Sequence, residues 1–451
     1  MLATITGTID IPATPETVRA IRQYSYRKGY EETSVSTVVV ENGILRFPRN
    51  LKKFSNFFGD ISFEDKRVSN KVAVKIEVAD NFNPHEFQEK ALKEVLEHLK
   101  TEQGSCILQA GAGSGKTFTL PFILSALQER TLILVDRTDL AQQMIDEITG
   151  NTKQIDCKLL SKNDKELADV NITTFQFLLK NKDLFPKLKE EIGLVVVDEC
   201  HLISVGQFTE IASQLPARYR YGLSATPTRS DGLTQALFDF FGNAVVNGTN
   251  PSLNSVFHLC LQRPYSAFIR KNKASQDWNK FYCSSSVLNE IIQITQMLLR
   301  KGRAVLIYST SQEAQQTIKD KLEAVGIKSE ILNSTTPKKS RKESIKKFEA
   351  GELDVLIAGT VLQKGVSIYR LDTVINFANH TKESLEQTVG RLRRDHANKK
   401  QPMFIDFQYQ GAGSWKARDR KDTMLFLQKA HGDTVKYLDI SASNNLIKGV
   451  Y

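Results

Sequence analysis

Two series of short apolar runs, separated by helical stretches, constrain the fold of this 451-residue chain most strongly. The first series falls at 106–109, 131–135, 169–173, 194–197 and 221–224. The second falls at 304–308, 328–332, 355–358, 373–377 and 402–406. A strand that is apolar on both sides must be covered on both, as in a parallel sheet held between layers of helices. The chain is therefore expected to be α/β, with two tandem parallel-sheet domains at 81–245 and 286–410. Residues 1–80 read as a small N-terminal α+β domain. A helix begins at Thr14 and Pro15, and a β-branched run at 35–40 turns at Asn42 and Gly43 into a strand at 44–47. Val72, Val74, Ile76 and Val78 alternate with polar residues, as a half-exposed strand would. Residues 246–285 fit neither element well and read as a connector. Residues 411–451 read as a basic C-terminal helix and tail.

No apolar run is long enough to span a bilayer, and the first residues lack the basic and apolar regions of a secretory leader. The five cysteines, at 106, 157, 200, 260 and 283, form no closely spaced pair. That argues against a disulfide framework, a disulfide-linked partner or a zinc site, and for a reducing cytoplasm, the host's if the source is viral. A net charge of +10 attracts polyanions through their phosphates. Charge alone does not separate a polyanion binder from a protein that is merely basic.

The run at 106–109 leads into residues 110–117, and these into a helical stretch at 118–128. Strand, glycine-rich loop and helix in that order make a phosphate cradle. Gly111, Ala112, Gly113, Ser114 and Gly115 let successive backbone N–H groups converge on phosphate oxygens, and the helix N-terminus adds positive potential. Lys116 would reach the β- and γ-phosphates, and Thr117 would ligate Mg²⁺. The expected cofactors are ATP and Mg²⁺.

Asp198 and Glu199 end the apolar run at 194–197, where a parallel strand presents side chains to the ligand crevice. Asp198 is the candidate for holding Mg²⁺, through water, and Glu199 for polarising the attacking water. His201 reads as a coupler that senses nucleotide. Far along the chain, Gln387, Gly390, Arg391 and Arg394 lie in a helical stretch that starts near Lys382. Arginines spaced i and i+3 share a helix face, and a guanidinium can neutralise charge developing on a γ-phosphate. Taken together, these blocks predict ATP hydrolysis across a cleft between two domains.

Over about residues 82–408 the chain resembles a superfamily 2 helicase. Ala110 in place of a first glycine is the helicase form of the loop. The resemblance implies two RecA-like domains. It implies adenine recognition by Gln88 and strand contacts by Arg137, Thr174 and Gln176 on the first domain. It implies further contacts by Ser309, Thr360 and Lys364 on the second. Ser224 and Thr226, in the string 222–233, resemble the block that links hydrolysis to movement. That string and the Asp-Glu-Cys-His form are most similar to the branch containing phage branch-migration and recombination helicases. Two positions depart from the family pattern: Ser367 stands where Asp or Asn is common, and no arginine precedes Gln88.

On this reading ATP closes the cleft and hydrolysis releases it, so the protein moves along a nucleic-acid backbone without regard to sequence. The implied partner is DNA, branched or forked, and the implied state a monomer. The small N-terminal domain would be a DNA-binding accessory. Basic runs at 338–347 and 416–421 could track nucleic acid or simply be solvated faces. Phe54, Phe57 and Phe58 read as core of the small domain rather than as a stacking platform. Two further readings remain open: an ATP-dependent RNA helicase, against which stands the lack of an Asp-Glu-Ala-Asp box, and an ATP-gated clamp that holds nucleic acid without moving.

Overall fold

A computed structural model describes residues 2–28, 34–111, 115–229, 231–248, 255–264, 285–359, 368–376, 382–393, 399–410, 421–425, 427–429 and 432–439. The chain divides into two compact units, Met1–Asn250 and Pro251–Tyr451.

The first unit holds a seven-stranded, all-parallel sheet. Its spatial order is Cys157–Leu159, Val170–Thr174, Thr131–Val135, Leu194–Val197, Tyr219–Ser224, Ser105–Gln109, Val245–Asn247. Numbered along the chain, this is 3-4-2-5-6-1-7. Successive residues of one strand pack on opposite sides: Leu132 and Leu134 enter one apolar core, Ile133 and Val135 the other. That is why the runs are continuous rather than alternating.

The second unit repeats the plan. Its seven parallel strands lie in the order Ser329–Leu332, Val355–Ala358, Val305–Tyr308, Thr373–Asn376, Met403–Gln410, Phe257–Pro264, Thr434–Asp439. Numbered along the chain, the order is again 3-4-2-5-6-1-7. Val305 and Ile307 face one core, Leu306 and Tyr308 the other. The α/β class with two tandem parallel sheets is therefore the fold.

A small five-stranded sheet opens the chain, in the order Val39–Glu41, Ile44–Phe47, Ile9–Pro12, Leu2–Ile5, Ser62–Asp65. The first two of these strands form a hairpin, with Asn42 at φ 50° and Gly43 at φ 74°, the left-handed pair that a tight hairpin turn requires. Thr14 caps the helix Pro15–Arg19. Phe47 and Phe54 are fully buried with Tyr24, and Phe58 packs on them, so these rings are core; Phe57 is exposed.

Within the first unit, this small sheet is fastened to the amino-terminal edge of the large sheet. Arg49 donates to the Ala217 carbonyl at 2.5 Å, and Lys53 pairs with the buried Asp239 at 2.9 Å. Val68 N–H donates to the Pro216 carbonyl at 2.7 Å.

Three expectations need correction. Phe257–Pro264, inside the stretch read as connector, is an interior strand of the second sheet, flanked by Met403–Gln410 and Thr434–Asp439. Its His258 breaks the apolar run but is fully buried, because Asp433 receives it at 2.7 Å. Thr434–Asp439, inside the stretch read as helix and tail, is that sheet's edge strand. Of the alternating residues at 72–78, strand forms only at Glu77–Val78, paired with Thr152–Lys153; Ile76 is buried and Val74 exposed.

Candidate nucleotide site

Because every strand of the first sheet runs the same way, the ends of strands carry their candidate residues to one edge. Gly111 and Lys116 follow Ser105–Gln109, Arg137 follows Thr131–Val135, and Thr174 ends Val170–Thr174, with Gln176 just beyond. Asp198 and Glu199 follow Leu194–Val197, while Ser224 ends Tyr219–Ser224, with Thr226 two residues on. This is the edge at which open α/β sheets hold ligands.

Lys116 Nζ donates to Glu199 Oε1 at 2.7 Å. The phosphate-loop lysine and the water-activating candidate thus share one cluster. Burial alone would lower the lysine's pKa, but the Glu199 and Asp198 carboxylates hold it above its ordinary value. Burial would likewise raise Glu199, and Lys116 and His201 more than offset it. Asp198 goes the other way: burial and the adjacent Glu199 charge push it up to about 7.

Glu199 itself has a left-handed backbone, φ 45°, a conformation that costs a non-glycine residue about 1–3 kcal/mol. The turn is held in place by Cys200 N–H donating to the Leu223 carbonyl at 3.0 Å and Leu202 N–H to the Glu199 carbonyl at 2.8 Å. His201 Nδ1 lies 2.8 Å from Ser224 Oγ and 3.5 Å from Glu199 Oε2. A chain of polar contacts therefore runs from Lys116 through Glu199 and His201 to Ser224, joining the ends of three strands. Thr226 is buried just beyond.

Arg229 braces this turn, a role the sequence pattern did not assign. Its guanidinium donates to the carbonyls of His201, at 2.8 Å, and Ile203, at 2.5 Å, and is itself held by Asp231 at 2.6 Å. The signal was the Arg229–Asp231 spacing ahead of Gly232, which allows a carboxylate two residues on to orient the guanidinium.

Gln88 is the third residue of the helix Glu86–Leu99 and accepts from the His85 N–H at 2.9 Å. Its amide touches the phosphate loop: a Cβ at Gly115 would fall 2.9 Å from Gln88 Nε2, and Gly115 has φ +77°. Thr174 caps the helix Phe175–Lys180, and Gln176 is exposed on that helix. Arg137 is paired with Asp139 at 2.6 Å.

In the second unit, Ser309 is buried at the end of Val305–Tyr308, and Gln315 Nε2 donates to its carbonyl at 2.6 Å. Gln387 lies in the helix Lys382–Leu392 and Arg391 is buried near its end. The described helix runs to Leu392, and Arg393 follows it in a turn. Arg393 N–H bonds back to Gly390 at 3.3 Å, and its side chain is drawn into the unit by Asp433. Ala112, Gly113, Ser114, Thr360, Lys364, Ser367 and Arg394 lie outside the described residues.

The first unit's acids suit a divalent cation. Glu199 Oε2 is buried with His201 Nδ1 3.5 Å away, and Asp198 is an acid whose ionisation its surroundings oppose. Mg²⁺ would restore that ionisation, with Asp198 and Thr117 as its holders.

Comparison with known proteins fits this geometry. Residues 81–229 match the family model described as the res subunit of type III restriction enzymes, and residues 286–396 match the helicase conserved C-terminal domain. An Acanthamoeba polyphaga mimivirus protein described as an ATP-dependent RNA helicase is 24% identical over 74% of this chain and 66% of its own length. A protein of Escherichia phage T5 described as a helicase is 26% identical over 68% of both chains. The DNA 3'-5' helicase XPB of Kineococcus radiotolerans is 24% identical over 65% of this chain and 56% of its own. The chain thus spans between 56% and 68% of these relatives' lengths. In fold, it resembles S. cerevisiae Dbp5 bound to RNA and ADP BeF3, at TM-score 0.53 and 18% identity over 80% of this chain and 95% of that one. Two matched domains in order, on two parallel sheets with one wiring, assign the chain to the superfamily 2 helicases, a family of ATP-hydrolysing enzymes.

Proposed function

We propose that this chain is an ATP-driven DNA motor that remodels branched DNA such as forks and junctions. The observation that carries the reading is the 2.7 Å contact between Lys116 and Glu199, backed by His201 and Ser224. Without nucleotide, the lysine neutralises the carboxylate. A triphosphate would draw Lys116 to its β- and γ-oxygens and leave Glu199 free to take a proton from water. Asp198 and Thr117 would hold Mg²⁺, which supplies charge neutralisation at the phosphates when bound. Gln88, against the loop, is suited to read the base. Gln387, Arg391 and Arg394 of the second unit would complete the transition-state contacts. His201 and Ser224, with Thr226, would carry the change in nucleotide state to the strand-gripping residues.

The wiring supports a motor. Arg137 follows strand 2 of the first sheet, Thr174 ends strand 4 and Gln176 lies just beyond; Ser309 follows strand 2 of the second, and in the sequence Thr360 comes two residues after its strand 4. Two equivalent grips on one nucleic-acid backbone, released and renewed by ATP, give stepwise movement that ignores sequence. Lys364 lies further along the same segment as Thr360. Exposed Lys339, Lys342, Lys346 and Lys347 on the helix Lys338–Ala350 add positive surface. The N-terminal sheet would grip duplex as part of the first unit.

DNA is favoured by the relative named as a DNA 3'-5' helicase, and branched DNA by the string 222–233. The mimivirus relative's description supports RNA as a second reading. ATP turnover measured with single-stranded, duplex, forked and four-way DNA, and with RNA, separates them. Strongest stimulation by forked or four-way DNA is expected. Stimulation by RNA alone contradicts the proposal, and strand displacement assayed alongside tests for movement.

A further inference from the structure

Asp433 precedes the edge strand Thr434–Asp439 of the second sheet, far in sequence from the helix that bears the arginines. Arg393 Nη1 donates to Asp433 Oδ1 at 2.7 Å and Nη2 to Oδ2 at 2.5 Å, a fork-to-fork pair. His258 Nε2 reaches Oδ2 at 2.7 Å, and Val256 N–H donates to Oδ1 at 2.9 Å. All three side chains are buried: Asp433 is 5% exposed, Arg393 2% and His258 0%. Four hydrogen bonds thus converge on one carboxylate from two other segments of the chain. Neither Asp433 nor His258 lies in the matched regions 81–229 and 286–396.

Arg393 stands between Arg391 and Arg394, where the helix Lys382–Leu392 ends. We propose that Asp433 is a positioning residue for ATP hydrolysis: by locking Arg393, it fixes the end of the helix that carries Arg391. This rests on the proposed role of Arg391. A buried pair of this kind adds little stability over a well-packed apolar pair, but its planar geometry fixes orientation, which an apolar pair does not. Misplacing a catalytic group by about 1 Å can cost about a hundredfold in rate.

The test uses the full chain with ATP, Mg²⁺ and saturating single-stranded DNA. Wild type is compared with Asp433→Asn, with the double variant Arg393→Met plus Asp433→Leu, and with Arg391→Ala. The double variant is expected to melt close to wild type. Asp433→Asn and the double variant are each expected to lower kcat about ten- to a hundredfold, with KM for ATP within about threefold. Wild-type kcat in either folded variant overturns the proposal, since the cluster would then be structural only. So does failure of the double variant to fold, which would make the pair a requirement of the fold itself. If wild type shows no turnover, or Arg391→Ala turns over normally, the parent reading falls and this one with it. If Arg391→Ala is inactive while the folded Asp433 variants are normal, only this inference falls.

Discussion

The two large sheets share one wiring, yet in the sequence a glycine-rich loop ending in lysine follows strand 1 of the first and not strand 1 of the second. Strand 1 of the first sheet, Ser105–Gln109, leads into Gly111 and Lys116. Strand 1 of the second, Phe257–Pro264, is instead tied by His258 to Asp433. At the end of strand 5 the first sheet places Asp198 and Glu199. The second ends its strand 5 at Asn376, whose amide donates to the buried Asp406 at 2.7 Å. One topology therefore serves two chemistries. The first sheet leaves the Glu199 carboxylate on a left-handed turn, paired with Lys116. The second pairs its buried Asp433 with Arg393, next to its helix end. Function follows the strand ends rather than the fold.

The largest effect expected from breaking this contrast is at Lys116. Lys116→Ala should cut ATP turnover by about 10²–10³-fold or more, measured as phosphate release with DNA present. Turnover near wild type would remove the first sheet's claim to the phosphates. Glu199→Gln should follow closely, losing turnover while ATP binding, read by a fluorescent analogue, persists. Equal loss of binding would mean the carboxylate serves the ground state rather than the water.

A smaller effect sharpens the comparison on stability. Asp239→Ala strips Lys53 of a buried partner and should destabilise the first unit by about 3–5 kcal/mol in chemical denaturation. The second unit's transition should not move. The smallest effect concerns acid. Burial would raise Asp433, but hydrogen bonds from His258 and Arg393 outweigh it and hold it below its ordinary value of 3.8. A depressed carboxyl contributes stability that is complete above 3.8 and is lost as pH falls through the lower folded value. Wild type should therefore lose second-unit stability steeply below about pH 4, and Asp433→Asn should show a flatter profile there.

Much of this was legible because buried parallel strands announce themselves. Leu194–Val197 is four apolar residues in a row, and the glycine-rich loop between strand and helix leaves few alternatives. What escaped had polar residues whose partners are remote. His258 looks unlike a core residue until Asp433 arrives from far along the chain. Cys157–Leu159 is a short edge strand with a lysine at its centre, and Thr434–Asp439 alternates as an edge strand does. At the site, the sequence could place Lys116 and Glu199 at the ends of parallel strands. It could not show that they touch, that Glu199 sits at positive φ, or that Arg229 braces the turn.

The most direct test of the account asks whether the second unit takes part in hydrolysis at all. DNA-stimulated ATP turnover of Arg391→Ala, alongside its affinity for ATP, answers that question. The account predicts a loss of about 10³-fold or more in kcat with affinity changed only a few-fold. Turnover equal to wild type would mean that the first unit hydrolyses ATP alone.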